Sequence, residues 1–181
     1  MQIINTLTKS AICLLVSTGF LALPANAQKS QKLTDPEIAS VAVTANQIDI
    51  DYAKIAIKKS KNQQVIDFAK TMAKDHGAVI KQAVALVTKL GVTPKDNATS
   101  QSLNAQAVKE RKALNAKSGK TFDQAYVDNE VAYHTAVINA VETVLIPDAT
   151  NKELHDLLVS AVPLFKAHLE HAKMLQKSLQ K

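Results

Sequence analysis

From residue 35 to the C-terminus, apolar side chains recur in steps of three and four. That spacing places them on one stripe of a helix and is incompatible with the two-residue repeat of a strand. Ile38, Val41, Ala45, Ile48, Tyr52 and Ile55 make the first such stripe, opened by Thr34-Asp35-Pro36-Glu37 with capping-box spacing, so a helix is expected over about 35–60. After Ser60-Lys61-Asn62 a second stripe steps through Val65, Ala69, Met72, His76, Val79, Ala83, Leu86 and Leu90. It ends at Gly91 and Pro94, which places the helix at about 63–90 and makes the pair an antiparallel hairpin.

Residues 91–120 are too long for a turn and carry one short helical stretch, about 102–117, so they read as a crossover that returns the chain to the other end of a bundle. A further helix is expected from Thr121-Phe122-Asp123-Gln124 to about Leu145, where Pro147 ends it. Its apolar stripe is Phe122, Tyr126, Tyr133, Val137, Ala140 and Val144. The last runs from about 150 to 178 through Leu154, Leu158, Ala161, Phe165, His168, Ala172 and Leu175, with Pro163 expected to kink it. With only four glycines and five prolines in 181 residues, the fold class is all-α: a four-helix bundle with a long crossover carrying a short extra helix, of ferritin-like topology.

Residues 1–27 have the pattern of a secretory signal peptide. Lys9 is the positive n-region, Ala11 to Leu23 the apolar core, and Ala25-Asn26-Ala27 the small-x-small cleavage site, with processing expected after Ala27. The apolar run is short for a membrane span. The mature part, 28–181, is then one helical-bundle domain in the periplasm or secreted. Cys13 leaves with the signal, which removes thiolate catalysis and thiolate metal sites. The formal charge is +6, less Lys9 once the signal is cleaved. Lysines are spread at helical intervals and aromatics are few, so a solvated face is expected and no nucleic-acid partner; weak contact with an anionic envelope surface is allowed. The oligomeric state is not legible.

Histidines carry the candidate chemistry. His76 and His168 fall on apolar stripes, and His134 lies on a second stripe with Asp123, Val127, Glu130, Val137 and Val141. Counting at 1.5 Å per residue from the helix ends, Asp49, His76, Glu130, His134 and His168 all fall within roughly 9 Å along the bundle axis. Imidazoles and carboxylates gathered at one level from four helices suit a metal site for one zinc, iron or other divalent ion. The competing reading is a hydrogen-bonded core network without metal, in which Asp75 or Asp49 serves His76. His155 is expected to be exposed, Met72 and Met174 to fill core gaps, and Tyr52, Tyr126 and Tyr133 to be core aromatics with one wet end. No nucleophile elbow or phosphate loop occurs.

The string Phe68-Ala69-Lys70-Thr71-Met72-Ala73-Lys74-Asp75-His76, then Phe122-Asp123-Gln124-Ala125-Tyr126-Val127, His134, Pro163 and His168-Leu169, resembles an exported bacterial family known as domain of unknown function 4142. The resemblance implies a ferritin-like fold, a periplasmic or outer-membrane setting without an assigned reaction, and His76, His134 and His168 as the polar centre, with Asp49 in the place of a first-helix glutamate. The Glu-x-x-His pairs of di-iron bundles are missing: Ala73, Val131 and Phe165 stand three residues before the histidines. A binding or protective role is therefore expected ahead of a structural role, and a metal-dependent oxidase comes third.

Overall fold

The computed structural model describes residues 32–180. The expected signal peptide and its cleavage site lie outside them. Five long or medium helices carry the fold: α1 (Asp35–Lys59), α2 (Gln63–Lys89), α3 (Ala98–Asn115), α4 (Gly119–Ala140) and α6 (Lys152–Leu179), with a π-turn at Val141–Leu145 and a single turn α5 (Ile146–Asp148) between the last two. There is no strand among the described residues, and no helix there is long and apolar enough to cross a membrane.

The path is that of a bundle with a crossover. α1 opens with the Thr34–Glu37 capping box and packs along α2. Gly91, at φ 65°, closes α2 in the left-handed conformation, and the Val92 amide returns to the Val87 carbonyl at 2.9 Å. The chain then passes the start of α1, where the Lys95 amide donates to the Pro36 carbonyl at 2.9 Å, and α3 climbs beside α1. At the far end Lys59 Nζ donates to the Leu114 carbonyl at 3.3 Å, so α4 starts level with the α1–α2 turn. α4 packs on α6, and α6 on α2, with Asp35 accepting from the Thr150 amide at 2.8 Å to tie the start of α6 to the start of α1.

Local departures from expectation have local causes. α3 begins four residues early because Asn97 caps it, accepting from the amides of Thr99 and Ser100. α4 begins at Gly119, whose φ of 56° lets the chain reverse after Ser118, so the Thr121–Gln124 spacing does not form its cap. Pro147 does not end α4 directly. The π-turn widens the helix just before it, where a proline ring would otherwise crowd the carbonyl four residues back. The extra residue also shifts the helical phase: Ile138, Val141 and Leu145 are buried while Val144 is 41% exposed. α6 continues through Pro163, and Val159, four residues before it, is exposed, so the carbonyl that loses its donor can meet water.

Two apolar clusters fill the interior. One, around Phe68, Met72, Phe122, Tyr126 and Leu114, lies toward the α1–α2 turn. The other, around Ile38, Val41, Leu158 and Phe165, lies toward the opposite end. Met72 fills the core as expected, but Met174 is 63% exposed because its position on α6 turns away from the neighbouring helices. His155 is partly exposed. Tyr133 donates to the Ala45 carbonyl at 2.9 Å. Tyr126 has no wet end: its ring is fully buried and its hydroxyl lies beside Glu130, away from water.

Candidate metal centre

Between the two apolar clusters the bundle buries five ionisable side chains: Asp49 from α1, His76 from α2, Glu130 and His134 from α4, and His168 from α6. The structure thus brings together every site residue expected from the sequence. The three imidazole rings lie with centroids 5.2–5.5 Å apart, and each offers a nitrogen within 4.8 Å of one on the other two. Asp49, Glu130 and His134 form a second such trio, sharing His134.

The hydrogen bonds of the rings determine which nitrogens face inward. Asn46 Nδ2 donates to the Ala42 carbonyl at 2.7 Å, which leaves Asn46 Oδ1 to accept from His76 Nδ1 at 2.7 Å. His134 Nδ1 donates to the Glu130 carbonyl at 3.1 Å. His168 Nε2 donates to Asp75 Oδ2 at 3.1 Å, and its Nδ1 is buried without a partner. Each ring therefore spends its N–H on an outer oxygen and keeps its lone pair for the interior, the arrangement that orients metal-ligating histidines. Asp75 serves His168 and not His76, whose outer nitrogen is taken by Asn46, while Asp49 Oδ2 stands 3.5 Å from the inner one. Phe165 stacks on His76 at 6° between planes.

One consequence is electrostatic. His76 Nε2 and His134 Nε2, both acceptors by this assignment, face each other at 3.3 Å. Asp49 Oδ2 stands 3.5 Å from the first and 3.7 Å from the second. Burial, followed by the neighbouring imidazoles, pushes the His76 pKa down to about 2. Burial and His168 lower His134 to about 4, so neither ring supplies a bridging proton near neutrality. On the acidic side, burial lifts Asp49 to about 7. Burial, and then the charge of Asp49, lifts Glu130 well above the carboxylate range. All four of their carboxyl oxygens lie outside strict hydrogen-bond geometry with any fixed donor, yet the two groups face each other with the Tyr126 hydroxyl beside Glu130, so a proton held between them is the local way to relieve them. Apart from Tyr126 Oη and Asn129 Nδ2, every buried side-chain polar atom without a partner among the described residues belongs to Asp49, Glu130 or His168. Native interiors leave few such atoms, and their concentration at one place marks a site.

Asn46 and Asp75 were not identified in these roles from the sequence. Asn46, a polar residue on the buried side of α1 three positions before Asp49, was the available signal for the first. Nothing in the spacing distinguished Asp75 as the partner of His168.

Fold and site define a class: an all-helical bundle with three neutral imidazoles and two carboxyl groups enclosed at mid-height. Residues 21–175 match the family described as domain of unknown function (DUF4142), and the chain belongs to it. No curated protein matches the chain. Among solved structures it is similar to CopM in the Cu(II)-bound form, with a TM-score of 0.61 and 16% identity over 81% of this chain and 98% of that one. At that identity the likeness is one of helical fold.

Proposed function

We propose that this protein binds one divalent transition-metal ion at mid-bundle and acts in the cell envelope as a metal-sequestering or protective factor, without turnover. The observation that carries this is the triangle of His76 Nε2, His134 Nε2 and Asp49 Oδ2, with edges of 3.3, 3.5 and 3.7 Å. Four tetrahedral ligands at bond lengths of about 2.0–2.1 Å stand about 3.3–3.4 Å from one another. His168, which groups with His76 and His134 but not with Asp49 and has a buried, unpartnered Nδ1, would move in to supply the fourth ligand, with Glu130 behind Asp49 taking its proton. A purely structural network would leave no ring nitrogen without a partner, whereas His168 Nδ1 is buried with none, and His76 Nε2 and His134 Nε2 stand 3.3 Å apart with Asp49 Oδ2 beside both. Three imidazoles and a carboxylate suit zinc, copper(II) or iron(II), with copper(II) tightest on the general affinity order. The Cu(II) named for CopM accords with that order.

Elemental analysis after loading the purified protein with zinc, copper(II), iron(II) and manganese tests this. One ion per chain is expected, removable by chelator, and at a thousandfold excess over Kd it adds about 4 kcal/mol of stability. Absence of a stoichiometric ion, together with equal melting temperatures with and without metal, would overturn the proposal. Asp75→Asn is expected to weaken the bound ion by about 10- to 100-fold through loss of His168 orientation. Competition titration reads this, and an unchanged affinity would remove Asp75 from the centre.

A further inference from the structure

Lysines that are spread through the sequence are sorted by the fold. The C-termini of α1, α3 and α6 and the N-termini of α2 and α4 meet at one end of the bundle, tied by Lys59 to the Leu114 carbonyl, Ser60 Oγ to Asp123 Oδ1 at 2.6 Å, and Gln176 to Asp128 at 2.7 Å. Lys58, Lys61, Lys112, Lys117, Lys120 and Lys177 are exposed at this end, and none has an acidic partner within 4.0 Å among the described residues. At the opposite end the lysines are neutralised: Lys32 pairs with Asp148, Lys89 with Glu153, Lys95 with Glu37, and Lys152 with Asp156. Unpaired lysines are therefore gathered at one end of the bundle and paired ones at the other.

Helix dipoles account for only part of this. Cations near helix C-termini are favourable, which explains Lys58, Lys112 and Lys177. Lys61 and Lys117 lie between a helix that ends and one that starts, so the two dipoles there offset each other, and Lys120, in the first turn of α4, sits where the dipole disfavours positive charge. Helix dipoles thus leave Lys61, Lys117 and Lys120 without a local reason, and three unpaired ammonium groups gathered beside the other three need a different origin.

We infer that this basic end is a docking face for an anionic lipid surface, with Lys61, Lys117 and Lys120 as its defining contacts. The face is made of helix ends side by side and presents separate ammonium groups, which match phosphate headgroups in a plane. Base stacking has nothing to work with here, because Phe122 and Tyr126, the aromatics nearest this end in α4, are fully buried. The bundle would then stand end-on, with the metal centre half its length away from the membrane. This docking does not depend on the metal reading, since none of the six lysines touches the centre.

The test is sedimentation of residues 28–181, which contain both apolar clusters whole, with vesicles of phosphatidylglycerol in phosphatidylcholine or of phosphatidylcholine alone. Binding to the anionic vesicles only is expected, lost in 0.5 M salt, where the Debye length is about half its physiological value of about 8 Å. At about fivefold per lysine, Lys61→Gln/Lys117→Gln/Lys120→Gln should weaken partition about 100-fold. Lys32→Gln/Lys89→Gln/Lys95→Gln, at the far end, should leave it near the parent value, with circular dichroism reporting that both variants fold. No difference between the two vesicle types, equal losses in the two triple variants, or retention by a soluble anionic polysaccharide but not by vesicles each overturns the inference.

Discussion

Asp49→Asn is expected to make the metal-free protein more stable at pH 8 while abolishing tight metal binding. The parent carboxyl is fully buried and its pKa is lifted from 3.8 to about 7. A raised carboxyl pKa means that the folded state keeps a proton the unfolded chain has shed. Stability is therefore fully present below pH 4 and declines as pH rises toward 7. The proton is shared with Glu130, whose carboxyl is raised by the same burial and by Asp49, so the loss by pH 8 belongs to the pair and not to Asp49 alone. Asparagine has the same shape and no proton to lose, so urea unfolding in chelator at pH 8 should show the variant ahead by a few kcal/mol. Zinc or copper affinity should fall by more than about 100-fold, because an anionic ligand has been removed. A variant less stable than the parent at pH 8, or one that keeps its metal, contradicts the placement of Asp49.

His134→Leu is the second large effect, because His134 belongs to both ligand trios. Metal stoichiometry should fall to zero in a folded protein. The metal-free chain should also change its response to acid. His134 is lowered from 6.5 to about 4 by burial and by His168, so the parent's stability from this group is complete above pH 6.5 and is lost as pH falls toward 4. The difference amounts to about 3 kcal/mol over that interval. Leucine does not titrate, so the stability gap between parent and variant should move in the variant's favour by that amount on going from pH 7 to pH 4. Denaturant melts at the two pH values read this directly, and a pH-independent gap would show that the ring is not held neutral by its surroundings.

Both effects oppose ordinary core mutagenesis, where losing a native side chain costs stability. They arise because the centre itself is costly to folding: desolvated carboxyls and closely faced imidazoles are held in place by the apolar clusters on either side.

Helix periodicity is a local property, and for that reason the long helices and the crossover were readable from the chain. Counting along those helices was enough to bring Asp49, His76, Glu130, His134 and His168 to one level, since rise per residue is constant. Where a side-chain oxygen or a glycine dihedral altered a helix start, as at Asn97 and Gly119, the sequence reading missed by a few residues. An uninterrupted helix puts Val144 on the inner stripe, and the π-turn rotates it outward.

Tertiary structure decided what depends on partners distant in sequence. Asn46 rather than a carboxylate takes the outer nitrogen of His76, and Asp75 takes that of His168, so the lone pairs turn inward. Lysines at helical intervals become a single charged face only because five helix ends converge. Spacing determines which side of a helix a residue occupies, but the proton on a ring and the neighbour of a charge are set by helices that meet only when the chain has folded.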